Sequence, residues 1–176
     1  TYSFRSMPDQ SPEAVIEYVK QTGLTQVELM GNHAEPYAGA PVNPIWGHPN
    51  RGLLYKLYRN EELTDEEREE AALLQLEIAA YNEEVAQWRK DVDFGKFEEL
   101  KNMYAEAGIG IYAFKPSVFG TDNTDDDIRY GMRAAKALGA THITLEHPEN
   151  DEHTARLGRL AEEEGVLVGY HGHTSQ

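Results

Sequence analysis

The sequence has 176 residues, with 31 Asp and Glu against 16 Lys and Arg, a formal net charge of −15 and no cysteine. The length suits about one domain, and the lack of cysteine excludes disulfides, a thiol nucleophile and Cys-ligated metal sites. The acidic balance argues against a nucleic-acid or anionic-membrane surface, because both need basic patches. No apolar run reaches the ~20 residues that span a bilayer, so we expect a soluble protein, cytoplasmic, or periplasmic if a leader has been removed.

Short apolar runs alternate with amphipathic stretches along the chain, and several of these stretches open with a helix-capping residue. Ser11 followed by Pro12 is typical of a helix start, and Gly23 of a helix end. Thr64 and Thr124 stand before acidic first turns. We predict helices over 12–23, 65–90, 97–108, 124–139 and 150–165. We predict strands over 1–5, 25–31, 109–115, 141–148 and 166–173.

This alternation indicates parallel βαβ units, because a crossover between parallel strands needs a helix of this length. The predicted fold class is therefore α/β. Two architectures remain open, a doubly wound open sheet and part of a (β/α)8 barrel. No glycine-rich G-x-G-x-x-G or P-loop follows a predicted strand, which disfavours the nucleotide-binding versions of these folds.

Ionisable residues stand at the predicted C-terminal end of every strand, which is where both architectures bind ligands. Each of them alone is equally compatible with a structural ion pair or a solvated loop residue. Because burying a charge costs free energy unless it is paired, their recurrence at all the strand ends indicates a pocket for a polar, oxygen-rich ligand. These residues are Arg5, Glu28 with His33 beyond it, Lys115, Glu146 with His147, and His171 with His173.

His171 and His173 alternate by two along the last predicted strand, so their side chains point to the same side. Both could bind a divalent metal, or one could bind it while the other hydrogen-bonds substrate or moves a proton. Glu146 on the preceding strand adds a carboxylate, and a carboxylate with imidazole suits Mn, Zn, Fe or Co. This pair of strands is therefore a candidate metal site.

Lys115 and Glu28 are assigned different roles. Lys115, at a strand end, is a candidate for holding a substrate hydroxylate or enediolate. Glu28, inside the segment QVEL, is interpreted as structural or as a supporting residue, for example a partner of Arg5. His48 and His142 are interpreted as structural.

Five spaced segments carry a resemblance to a known superfamily. They are YSFR in the first strand, GLTQVEL at the second, YAEAGIGIYAFKPS at the third, AAKALGATHITLEHP at the fourth and AEEEGVLVGYHGH at the fifth. Together they resemble the xylose isomerase-like TIM-barrel superfamily, the sugar phosphate isomerase/epimerase group, over most of the chain outside about 33–95. The Y-H-x-H strand is similar to that of inosose dehydratase-like proteins.

The resemblance implies a (β/α)8 barrel with one divalent metal, Mn, Zn, Co or Mg, at its C-terminal mouth. It implies an isomerase or epimerase that abstracts a proton next to a carbonyl on a sugar, keto-sugar or inosose. Family metal sites draw one ligand from the fifth strand and Asp, His and Glu from the last three strands, and a Glu often follows Y-H-x-H where this chain has Gln176. On this basis the metal ligands are His171 and Glu146, the catalytic residues are Glu146, His173 and Lys115, and the substrate-binding residues are Arg5, His33 and Lys115.

The last three strands of such a barrel have no counterpart in the 176 residues. We therefore interpret residues 1–176 as a single partial domain that holds the first five βα units, with an insertion at about 32–95 that serves as a lid or an oligomer contact. A homo-oligomer would cover the exposed strand edges. Two other functions remain open: a 3-keto-glycoside lyase or hydratase of the same superfamily, and a non-catalytic carbohydrate-binding or assembly protein.

Overall fold

Two structural units make up the chain in the computed structural model, which describes residues 1–45, 47–148 and 150–172. The first unit joins Thr1–Gly39 to Val92–Gln176, and the second unit is Ala40–Asp91. Each unit has its own helices and its own buried apolar side chains. None of the helices within the described ranges is both long and apolar enough to cross a membrane.

Strands and helices alternate through most of the described chain. The strands are β1 Gln26–Met30, β2 Gly110–Lys115, β3 His142–Glu146 and β4 Leu167–His171. The helices are α1 Pro12–Thr22, α2 Gly31–Tyr37, α3 Gly52–Tyr58, α4 Asp65–Asp91, α5 Gly95–Glu106, α6 Asp125–Ala137 and α7 Asp151–Glu164.

The four strands form one parallel sheet in the first unit, and their order in space, β1-β2-β3-β4, follows the chain. At the C-terminal ends of the strands, Met30 lies opposite Lys115 and Glu146 lies opposite His171. The predicted α/β class is therefore confirmed, and so are the last four predicted strands. Because all four strands run the same way, their C-terminal ends meet at one edge of the sheet.

One face of this sheet is apolar and buried. Leu29, Phe114 and Ile143 are 0% exposed, and α5, α6 and α7 pack against β2, β3 and β4 respectively. Successive side chains of a strand point to opposite faces, so Glu28 and Thr144 project from the other face. The helices therefore cover the apolar face, and the polar side chains occupy the opposite one.

The strand predicted over 1–5 is wrong. Tyr2–Phe4 form one turn of 3-10 helix, in which the Phe4 amide donates to the Thr1 carbonyl at 3.0 Å and the Arg5 amide to the Tyr2 carbonyl at 3.1 Å. Thr1 alone reaches the edge of β1, where its hydroxyl oxygen accepts from the Met30 amide at 3.2 Å. Alternation over five residues is too short to distinguish a strand from a single helical turn.

Capping residues fix where three helices of the first unit begin, and two of them, Ser11 and Thr124, are the predicted caps. The Ser11 hydroxyl accepts from the Ala14 amide at 3.3 Å, and Thr124 and Asp127 form a reciprocal capping box at the start of α6. The Asn150 side chain accepts from the backbone at the start of α7. The last two caps lie in the loops that follow β2 and β3, so they anchor those loops beside the C-terminal edge of the sheet.

The second unit is built on α3 and α4. Leu53, Leu63 and Ala71 are buried together and form its small apolar core. The predicted cap at Thr64 is present: its hydroxyl accepts from the Glu67 amide at 3.2 Å, and the Glu67 carboxylate accepts from the Thr64 amide at 3.0 Å. This reciprocal pair fixes the start of the longest helix in the described chain.

Candidate functional site

Four ionisable side chains, one from each strand, meet at the C-terminal end of the sheet. Glu28 comes from β1, Lys115 from β2, Glu146 from β3 and His171 from β4. The cross-strand pairing and the alternation of side chains place all four on the polar face. We call these four residues the strand-end cluster. Three of the predicted site residues, Lys115, Glu146 and His171, are thus brought together.

The Lys115 ammonium lies at the centre of the strand-end cluster. Its Nζ is 2.5 Å from Glu146 Oε1 and 3.0 Å from His171 Nδ1. His171 Nδ1 and Glu146 Oε1 are themselves 3.6 Å apart. The Lys115 side chain is 19% exposed and that of Glu146 is 53% exposed. The ammonium is therefore held between a carboxylate and an imidazole, and the carboxylate is the member that faces solvent.

The partners of His171 determine which of its ring nitrogens carries hydrogen. Nε2 lies 2.9 Å from Glu28 Oε1, which also accepts from the Thr144 hydroxyl. The ionised Glu28 carboxylate can only accept a hydrogen bond, so Nε2 of His171 donates to it. The Lys115 ammonium can only donate, so Nδ1 of His171 accepts from it. Both contacts are satisfied together by a neutral imidazole with its hydrogen on Nε2. Its Nδ1 lone pair then points at Lys115.

Burial raises the pKa of Glu28, but hydrogen bonds and nearby positive charge together lower it further, so Glu28 is ionised. Burial opposes ionisation, but the hydrogen bonds from Thr144 and His171 favour the carboxylate and hold the pKa of Glu28 below its ordinary value of 4.5. The charge of His171, when it is protonated, acts in the same direction. Glu28 is therefore a fixed acceptor that orients the His171 ring.

The contact between Glu28 and His171 requires a strongly curved sheet. Strands β1 and β4 are the two ends of the strand order, and in a flat sheet three strand spacings would separate them by about 14 Å. Two side chains that each reach about 5 Å, joined by a 2.9 Å hydrogen bond, would span about 13 Å even if both lay flat along the sheet, and strand side chains stand roughly perpendicular to it. The sheet therefore curls around its polar face, so that β1 and β4 approach each other across the strand-end cluster.

A cleft of about 490 Å³ opens beside the cluster. A volume of this size suits a small-molecule ligand. Lys115 and Glu146 lie on its wall, so the cluster is accessible from the cleft. The other polar residues that line it are Ser117, Thr121, Asn123 and His147, and the apolar ones include Met30, Phe119 and Leu145.

The loop after β2 forms one wall of the cleft and is held by backbone contacts. A Cβ atom on Gly31 would lie 2.8 Å from Pro116 Cα, so glycine allows the start of α2 to approach this loop closely. Farther along, the Asn123 side chain accepts from the Gly120 amide at 3.0 Å, and Arg156 donates to the Asn123 carbonyl at 2.8 Å. These contacts fix the wall on which Ser117 and Thr121 lie.

The remaining predicted site residues do not join the cluster within the part of the chain that the structure describes. Arg5 is exposed; its guanidinium lies 4.2 Å from the centre of the Tyr2 ring, and it does not pair with Glu28. His33 is buried on α2, where Nε2 lies 3.0 Å from Gln10 Oε1. Burial lowers the pKa of His33 to about 4, so its imidazole is neutral. His173 lies outside the described residues.

Two of the cluster residues are donors of the kind that bind divalent metals. Glu146 Oε1 and His171 Nδ1 are 3.6 Å apart, a separation that permits both to contact one ion at about 2.0–2.2 Å. Glu28 on the far nitrogen of His171 is the partner that metal-binding imidazoles usually have. Among the described residues, no group of three or more His, Asp or Glu is placed to hold a metal. The pair therefore fits a metal in donor type and spacing, at a point next to the Lys115 ammonium.

No protein-family model matches this chain, and no curated protein matches its sequence significantly. The superfamily indicated by the strand motifs therefore stays a prediction.

Sequence reasoning did not identify two contacts in the site. Thr144 is absent from the predicted site, although it stands two residues before Glu146 on the same strand and so shares its face. Glu28 was assigned a supporting role without its partner His171. The sequence does contain a signal for them. Glu28, Thr144 and Glu146 alternate with the apolar residues of their strands, which places these polar side chains together on the face opposite the apolar core.

Proposed function

We propose that this chain belongs to a (β/α)8-barrel enzyme of the isomerase/epimerase type that moves a proton next to a carbonyl on a sugar, keto-sugar or inosose. The observation that carries the proposal is the ammonium of Lys115 held between the Glu146 carboxylate and the His171 imidazole on the wall of a cleft. These three groups supply a cation for a developing oxyanion and two groups that can move protons.

The curvature and strand order of the sheet support the barrel. All four strands are parallel and follow one another without a reversal of order, whereas a doubly wound sheet reverses its order at a switch point. The sheet curls enough for Glu28 on β1 to contact His171 on β4. In a barrel the active site lies at the C-terminal ends of the strands, which is where these residues lie.

Lys115 would stabilise the negative charge that forms on the substrate. An ammonium has three hydrogens, of which Glu146 and His171 accept two. The third, which has no hydrogen-bond partner among the described residues, would donate to a carbonyl oxygen in the cleft. When the proton on the adjacent carbon leaves, its bonding electrons form the double bond of an enediolate and the charge moves to this oxygen. Lys115 then acts as a preorganised counter-charge.

Glu146 is the best-placed base for that proton. It faces the cleft and is the most exposed of the paired groups around Lys115. Its carboxylate takes the carbon-bound proton and returns it to the neighbouring carbon in an isomerisation. In an epimerisation a second group must deliver a proton to the opposite side of the carbon. His171 lies 3.6 Å from Glu146 and therefore on the same side, so the strand-end cluster supports the isomerisation.

Glu146 and His171 are also the residues that would hold the divalent metal implied by the superfamily resemblance. When bound, such an ion would polarise the carbonyl and the adjacent hydroxyl. The contribution of this chain would be to orient His171 through Glu28 and to present the carboxylate of Glu146 to the same point.

The substrate class follows from the lining of the cleft. Hydroxyl and amide groups from Ser117, Thr121 and Asn123 accompany a single lysine. Such groups can donate to and accept from the hydroxyls of a polyol. We therefore propose an oxygen-rich carbohydrate, in its keto form, as the small-molecule substrate.

Solvent-exchange NMR tests the function. The protein is mixed with a panel of keto-sugars and inososes in deuterated water, with and without Mn²⁺ or Co²⁺, and the hydrogen next to the carbonyl is followed. We expect exchange in wild type and a loss of roughly 100- to 10,000-fold in Glu146→Gln. Glu99→Gln is the matched control, because that carboxylate pairs with Lys96 on the exposed surface of α5.

The products distinguish the alternatives. A new unsaturated sugar would identify a lyase or hydratase instead of an isomerase. Binding of a sugar without exchange would indicate a carbohydrate-binding protein, and exchange that is unchanged in Glu146→Gln would overturn the role of this carboxylate.

A further inference from the structure

The Lys115 ammonium contacts both donors, Glu146 and His171, that a divalent metal would use. Its Nζ is 2.5 Å from the Glu146 oxygen and 3.0 Å from the His171 nitrogen, and these two donors are 3.6 Å apart. An ion that contacts both donors must lie about 2.0–2.2 Å from each. Every position that meets both distances lies within about 3.3 Å of Nζ, so the ion and the ammonium compete for one place between the two donors.

The electrostatics of the cluster favour the exchange of one cation for another. Among the described side chains, two carboxylates, Glu28 and Glu146, lie beside the Lys115 ammonium and the His171 imidazole. The lone pair on His171 Nδ1, which now accepts from Lys115, is the one that a metal would take. The His171 ring needs no reorientation to bind an ion at Nδ1, because Glu28 already holds it in place, and the Glu146 carboxylate already lies beside that nitrogen.

The structure also provides a place for the displaced lysine. Lys115 is the last residue of β2 and one of the residues that line the 490 Å³ cleft. A change of side-chain rotamer would move its ammonium away from Glu146 and into this space, where it would meet the substrate. Metal binding would thereby bring the Lys115 ammonium into contact with a substrate bound in the cleft.

We propose that Lys115 is the resident cation of the strand-end cluster and that a divalent metal binds Glu146 and His171 only by displacing it. This inference rests on the proposed function for its role in catalysis. Its test measures metal binding and the accessibility of a lysine, so it does not depend on turnover.

The test uses Co²⁺, whose visible absorption reports nitrogen and oxygen ligands. Wild type, Lys115→Met and Lys96→Met are titrated with Co²⁺ and followed by absorption and calorimetry. We expect Lys115→Met to bind Co²⁺ about tenfold or more tightly than wild type, which corresponds to about 1.4 kcal/mol or more. Lys96→Met, which removes an exposed lysine paired with Glu99, should match wild type. Adding His171→Ala to Lys115→Met should abolish the gain.

A second measurement uses the wild-type protein. Acetylation of lysine amines is followed by mass spectrometry with and without Co²⁺. We expect Lys115 to be modified faster when Co²⁺ is bound and Lys96 to be unaffected. If Lys115→Met does not fold, Lys115→Gln replaces it in the titrations.

Equal Co²⁺ affinity in wild type and the Lys115 variant would overturn the proposal, as would a gain that survives the loss of His171. Bound Co²⁺ that leaves the modification rate of Lys115 unchanged would overturn it as well. These outcomes are separate from those of the exchange assay, since a protein without exchange activity can still show the difference in metal affinity.

Discussion

The Nε2 hydrogen of His171 on the fourth strand is donated to the Glu28 carboxylate on the first strand, over 2.9 Å. The two residues are 143 positions apart in the chain and lie on the strands at opposite ends of the sheet order. This one contact carries two consequences. It shows that the sheet curls around its polar face, and it fixes the ring nitrogen that His171 presents to Lys115.

Replacing Glu28 with Gln should impair catalysis without unfolding the protein. An amide has no charge to stabilise a protonated imidazole, and it no longer demands a hydrogen on Nε2. We expect the exchange rate to fall about 10- to 100-fold, the range seen for partners of functional histidines. Nitrogen-15 NMR of His171 should show a mixture of ring tautomers in the variant and the Nε2-protonated form in wild type. A variant with full activity and the wild-type tautomer would contradict the orienting role.

The strand-end residues could be predicted from sequence because they depend on local rules. Lys115, Glu146 and His171 each end an apolar run, and parallel strands bring such ends to one edge of a sheet. The partner of His171 could not be predicted in the same way. It depends on how strongly four strands curl together, which no local pattern of residues encodes.

The failed prediction at residues 1–5 has a different cause. Tyr2 and Phe4 alternate with polar residues as in a strand, yet the same spacing fits one 3-10 turn whose amides bond to carbonyls three residues earlier. Arg5 consequently lies with Tyr2 and outside the cluster. Longer apolar runs, such as the one that includes Ile111 and Phe114, are buried in the core, and there a continuous apolar run is a sufficient guide to a strand.

Burial of His33 should make the stability of the protein depend on pH. Its pKa falls from 6.5 to about 4 on folding, so between these values the unfolded chain binds more protons than the folded one. The stabilisation is complete above the unfolded pKa and is lost as pH falls toward the folded pKa. On lowering the pH from about 7 to about 5, we expect the free energy of unfolding of wild type to fall about 2 kcal/mol more than that of His33→Leu. Urea titrations at both pH values measure this, and parallel curves would refute it.

Gly31→Ala should destabilise the protein, whereas Gly158→Ala should not. A Cβ at position 31 would lie 2.8 Å from Pro116 Cα and 3.3 Å from the Lys115 carbonyl oxygen, both of them backbone atoms. We expect a loss of about 1–3 kcal/mol, since the loop after β2 must shift to relieve the contact. At Gly158 on α7 nothing lies within 4 Å of the added atom, and alanine favours a helix by up to about 1 kcal/mol. Thermal or urea unfolding of the two variants provides the comparison, and equal effects would argue against the close approach.

Lys115→Met should lower the turnover number more than it changes the Michaelis constant. The ammonium acts on charge that is absent from the bound ketone and appears only as the proton leaves, so its removal mainly raises the barrier. We expect the exchange rate at saturating substrate to fall roughly 100- to 1,000-fold, and Lys96→Met to leave it unchanged. Since Lys115 and a metal ion would share one position between Glu146 and His171, added Co²⁺ should restore part of the lost rate in Lys115→Met. A variant with an unchanged turnover number would show that the charge on the substrate is stabilised by another group.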